Sequence, residues 1–139
     1  MKRITVFALF TIAGFLTAGN ALAQQKDVRV AVPFDFTVGD KLLPAGTYSI
    51  MPVSDSTIAI RNGQTHSAVL TQASSDSKRS QKGGELVFNK YNGQYFLHEV
   101  LCESVAMNVS LPTTKTEKKV RLEEARLHND SSQVLLAIK

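Results

Sequence analysis

Cysteine is almost missing: Cys102 stands alone among 139 residues. No disulfide can close within the chain, so stability has to come from a packed core. A lone thiol can pair between chains, but free cysteine more often behaves as a small buried hydrophobe, and that is the expectation for Cys102. A strong charge excess is missing too. Sixteen basic residues stand against twelve acidic ones. If Lys2 and Arg3 leave with an N-terminal leader, fourteen remain against twelve, a net charge of about +2. That argues against nucleic acid as the main partner, because such proteins gather a much larger excess on one face. A third absence is an apolar run long enough to cross a bilayer. The longest stretch, Ile4 to Leu16, falls short of the roughly 20 residues a spanning helix needs, and Gly14, Gly19 and Asn20 weaken it further.

What that stretch does fit is a secretory signal peptide over residues 1–23. Lys2 and Arg3 supply the positive start, Ile4 to Leu16 the apolar centre, and Ala21-Leu22-Ala23 the small-residue cleavage site before Gln24. The expectation is an exported protein, periplasmic or extracellular, with no transmembrane segment after cleavage and no lipidated cysteine at the cut. Residues 24–139 are then a single β-rich domain, long enough to bury about two thirds of the surface of its unfolded chain.

From Val28 the chain alternates. Val28, Val30, Val32, Phe34, Phe36 and Val38 fall on one side, which is the period of a half-buried strand. Pro33 cannot donate to a ladder and assigns this strand to an edge or a bulge. Turns follow at Gly39-Asp40-Lys41 and at Leu42-Leu43-Pro44-Ala45-Gly46. Strands are predicted over Thr47–Val53 and Thr57–Arg61, then an Asn62-Gly63 hairpin turn, then a return strand from Gln64 to Thr71. Gln72 to Gly84 has no large apolar side chain and reads as a mobile loop. Strands from Glu85 to Lys90 and from Gln94 to Cys102 flank a second Asn-Gly turn at Asn92-Gly93. Another strand runs from Ala106 to Leu111. Past Pro112 the composition turns helical: Thr114 and Glu117 form a capping-box pair, and Lys115 to Leu127 are mostly helix formers. Val120, Leu127 and Leu122 make a narrow apolar stripe on an otherwise charged surface helix. Val134 to Ile138 completes the set as a terminal strand. These elements predict a mainly β fold, an antiparallel β-sandwich or partly open barrel of seven or eight strands with one C-terminal surface helix.

The block Val32-Pro33-Phe34-Asp35-Phe36-Thr37-Val38-Gly39-Asp40 with Leu43-Pro44-Ala45-Gly46-Thr47-Tyr48 carries a resemblance. So do Leu86-Val87-Phe88, Tyr95-Phe96-Leu97, Leu111-Pro112, Lys115 and Glu117. Together they resemble small exported proteins of acidobacterial type, a family without an assigned activity. The resemblance implies export and a shared β fold, and it transfers no active site.

Candidate chemistry is thin. His98-Glu99-Val100-Leu101-Cys102 has the spacing of the zinc-protease sequence H-E-x-x-H, with Cys in the final place. That motif needs a helix, where residues four apart share one face. On a strand, four residues span about 13 Å, so His98 and Cys102 cannot share a zinc ion. Glu99 and Glu103 are separated by the same spacing and read as outward-facing strand residues. His66 and His128 are scattered, and His128 suits a helix C-terminus by its charge. No nucleophile elbow and no phosphate loop occurs. Asn108-Val109-Ser110 and Asn129-Asp130-Ser131 are sequons of the kind that arise by chance. Tyr91, Tyr95, Phe96, Phe34, Phe36 and Phe88 can either line a ligand cavity or fill a core, and core filling is the plainer reading. The expectation is therefore no catalytic, metal or cofactor site, and a non-catalytic binding or interaction module whose partner is an envelope protein. The alternatives are a carrier of an apolar small molecule and an unrecognised hydrolase built on His98, Glu99 and Glu103.

Overall fold

The structure is a computed structural model that describes residues 27–78, 80, 83–127 and 131–138. The leader read over residues 1–23, its cleavage site, His128 and the Asn129 sequon lie outside the described residues. Eleven strands and one helix are present among the described residues, and they form two facing sheets. The first sheet has the order β1-β4-β5-β6, from β1 (Val28–Val32), β4 (Gly46–Ser54), β5 (Thr57–Asn62) and β6 (Ala68–Gln72). The second has the order β11-β8-β9-β10-β7, from β11 (Ser132–Ala137), β8 (Gly84–Tyr91), β9 (Gln94–Cys102), β10 (Met107–Ser110) and β7 (Ser74–Ser75). The short pair β2 (Phe36–Val38) and β3 (Lys41–Leu43) joins the second sheet through β9. Pairing is antiparallel throughout, apart from one parallel bridge between Thr37 and Phe96.

The expected long strand from Val28 to Val38 is two strands in two sheets. Val28, Val30 and Val32 point inward from β1, an edge strand of the first sheet, and Phe36 and Val38 point inward from β2 in the second. Pro33 marks the crossing, where the missing N–H suits a break in both ladders. Period two survives because both sheets face one core. The motif block closes this corner with its own bonds. The Asp35 carboxylate accepts the Ala45 N–H at 2.8 Å, the Tyr48 hydroxyl donates to the Pro44 carbonyl at 2.6 Å, and Phe36 meets Tyr48 edge-on at 5.0 Å. Each conspicuous residue there has a structural task.

A second crossing replaces the loop expected from Gln72 onward. Ala73 is buried and donates its N–H to the Ser56 carbonyl, after which Ser74 and Ser75 pair with Ser110 and Val109. Small side chains let this segment bend closely over the core, so low hydrophobicity did not mean a loose chain. The first Asn-Gly also departs from expectation. Asn62 is buried in the sheet opposite Tyr48, and its side chain accepts the N–H groups of Gln64 and Thr65. The β5–β6 connection therefore runs over five residues, 63–67, and its left-handed residue is His66 rather than Asn62 or Gly63. Asn92-Gly93 is the tight two-residue turn expected, with φ of 47° and 78° and Tyr91 paired to Gln94.

The helix α1 (Lys115–Arg126) begins at Thr114, whose Oγ1 accepts the Glu117 N–H at 3.2 Å. It lies on the outer face of the second sheet. Val120 rests against Tyr91 and Phe96 there, in a small cluster separate from the main core.

Candidate functional site

The stretch from His98 to Cys102 is extended, as its place on β9 requires. Its side chains are nevertheless closer than even alternation allows. Val87 pairs with Glu99 and Phe88 with Leu97, which leaves His98 as an extra residue in a β-bulge. The inward positions on β9 step from Leu97 to Val100 and then to Cys102, all in the main core, so the bulge re-phases the strand. It also brings the His98 Nε2 to 3.6 Å from the Glu99 Oε1. The separation expected of His98 from Cys102 and of Glu99 from Glu103 does not extend to this adjacent pair.

Glu99 is 3% exposed, and its charge is matched by the Lys78 ammonium, which reaches over from the segment after β7. That hydrogen bond, reinforced by the carboxylate's charge, holds the Lys78 amine above its ordinary value of 10.5. The Nδ1 of His98 is buried without a hydrogen-bond partner. Cys102 points away into the core with its Sγ 3.2 Å from the Ser104 hydroxyl, so imidazole and thiol do not meet. Glu103 lies exposed in the 3-10 turn that follows β9 (Glu103–Val105). The three-residue convergence that a hydrolase at His98, Glu99 and Glu103 needs is not formed. No group of three or more His, Cys, Asp or Glu side chains gathers as metal ligands among the described residues. His66 is exposed in the β5–β6 loop, far from β9 in the sheet order.

The aromatic set packs against itself. Phe34 stacks on Tyr95 at 4.0 Å, and Phe88 makes T-shaped contacts with Phe34 and Phe36 at 5.2 and 5.5 Å. These rings fill the core and one corner of it, where the carrier reading needs them around a void. Open grooves lie elsewhere. One of about 330 Å³ runs between the β4–β5 turn and β10, beside Val53, Ala73 and Met107. Another of about 370 Å³ separates the free edges of β1 and β11, between Ala31 and Leu136.

The feature with the most distinct chemistry is α1. Glu117, Val120 and Glu124 are its buried residues, three and four apart on one stripe. Glu117 Oε1 accepts from the Asn89 side chain at 3.1 Å, and Glu124 Oε1 accepts the Asn92 N–H at 2.8 Å. The helix is thus docked by two carboxylates and one valine, where a stripe of Val120, Leu122 and Leu127 was expected. Leu122 and Leu127 are instead 60% and 64% exposed. Burial beneath the helix, followed by the charge of Glu117, raises the Tyr91 hydroxyl above its ordinary value of 10.0.

Docking in this way sorts the helix by charge. Two of its three acids face the sheet, while Lys115, Lys118, Lys119, Arg121 and Arg126 are exposed with only Glu123 among them. Leu122 sits between Lys115, Lys118, Lys119 and Arg126, its neighbours at seven, four, three and four residues along the helix. The acids' inward placement was the part that sequence reading missed. Its signal was the spacing of Glu117 and Glu124 around Val120, three residues to one side and four to the other. No family model, curated protein or solved structure matches this chain.

Proposed function

We propose that the chain is an exported, non-catalytic interaction module of the cell envelope, with the outer face of α1 as its contact surface. The observation that carries this reading is the charge sorting of α1: acids turned onto the sheet, cations and an exposed leucine turned out. Export is inferred from residues 1–23 and accords with the resemblance to small exported proteins. The absence of a helix long and apolar enough to span a membrane, among the described residues, is compatible with this reading.

The test is fractionation of cells that express the full chain. The expected result is a product beginning at Gln24 that sediments with envelope membranes. A chain that keeps residues 1–23 and stays in the cytoplasm contradicts the reading. So does a hydrolytic activity that disappears in His98→Ala.

A further inference from the structure

We infer that the exposed face of α1 is a docking site for an anionic phospholipid surface, a conclusion that rests on the envelope reading above and names the partner's chemistry. Charge complementarity is the first argument. Lys115, Lys118, Lys119 and Arg126 surround Leu122, and Glu123, beside Lys119 and Arg126, is the one exposed acid of the helix. The helix is 12 residues long, so its exposed basic face extends about 18 Å. Shape is the second argument. A lone helix flank is convex and offers no pocket for the aromatic or arginine anchors that dominate protein interfaces. A bilayer surface yields to a convex face, accepts a leucine among its head groups, and lets lysine stems lie along the interface with their charges in the phosphate layer.

A neighbouring turn meets the helix at its N-terminal end and brings the exposed Asp40 with it. The Thr116 hydroxyl donates to the Asp40 carboxylate at 3.0 Å, which ties the β2–β3 turn to the first turn of α1. Lys41 and Leu42 follow directly, both exposed, with Leu42 at 71%. Glu117 and Glu124 are turned onto the sheet, so their carboxylates lie on the side of the helix away from this face.

The experiment is co-sedimentation of the exported chain with phosphatidylglycerol/phosphatidylcholine vesicles and with phosphatidylcholine vesicles alone. Binding to the first and not the second is expected, weakening steeply as salt rises. Each cation near such a surface contributes about a five-fold change in partitioning, so Lys118→Gln/Lys119→Gln lowers binding by about twenty-five-fold. Leu122→Gln lowers it several-fold while leaving the salt dependence unchanged. All three positions are exposed, and an unaltered melting temperature certifies each variant as folded. Equal binding of wild type and the double lysine variant overturns the lipid assignment. So does failure to bind the anionic vesicles. If vesicles fail while the lysine variant still loses its envelope association in fractionation, the face belongs to an acidic protein, and the lipid assignment falls while the interaction reading stands.

Discussion

The outer faces of the two sheets differ in what covers them. On the first sheet the outer face is bare: Arg29, Ser49 and Arg61 lie in one cross-strand row, and Met51, Ala59 and Leu70 in the next. Only Ala59 is buried among these, being small enough to sink between its neighbours. On the second sheet Val87, Tyr91, Phe96 and Leu101 are all buried on the outer side, and α1 covers the end that holds Tyr91 and Phe96. The sequences match their fates. β1 alternates strictly, whereas β8 buries Leu86, Val87 and Phe88 in succession. A strand that is apolar on both sides needs two covers, and the second cover is what places the helix.

The strongest way to break this comparison is to remove the ring beneath the helix. Phe96 is 2% exposed, so Phe96→Ala is expected to destabilise by about 3–5 kcal/mol in urea unfolding, as for a core aromatic. A cost near zero makes the two outer faces equivalent. Next in size is Glu124→Ala, which strips the acceptor from the Asn92 N–H and is expected to cost about 1–3 kcal/mol. Glu124→Gln keeps an acceptor and should cost less, because Glu124 Oε2 is buried without a partner.

A pH scan sharpens the comparison further, since both raised groups, Lys78 and Tyr91, serve the second sheet's outer face. Each keeps its proton to higher pH when folded than when unfolded, so the unfolded chain releases protons first as pH rises. Their contribution is complete below about pH 10 and is lost as pH climbs through the two raised values. Urea midpoints should therefore fall in that window, and less steeply in Tyr91→Phe. A profile unchanged by Tyr91→Phe removes that residue from the account. The smallest effect is expected on the bare face, where Leu70→Thr should shift stability by no more than about 0.5 kcal/mol.

Much of the architecture was legible because its causes are local. Alternation from Val28, the Thr114 cap, Asn92-Gly93 and the terminal strand all depend on near neighbours. What escaped depends on distant ones. Nothing near Pro33 says that the chain changes sheets, since the inward period is the same on both sides of a shared core. The bulge at His98 is set by its pairing with Val87 and Phe88, and it alone brings imidazole and carboxylate together. Asn62-Gly63 and Asn92-Gly93 are the same dipeptide, yet Asn62 is held in the ladder opposite Tyr48 and turns its side chain to capping. Acids on a helix are expected to face water. Glu117 and Glu124 face inward because Asn89 and Asn92, 28 and 32 residues earlier in the chain, supply donors where the helix docks.

The orientation of α1 is the point on which the charge sorting and the contact surface both depend. Nuclear Overhauser contacts report it directly. The account predicts cross-peaks from the Val120 methyls to the Tyr91 and Phe96 rings, with none from the Leu122 methyls to the sheet. Leu122 contacting those rings, with Val120 silent, contradicts it.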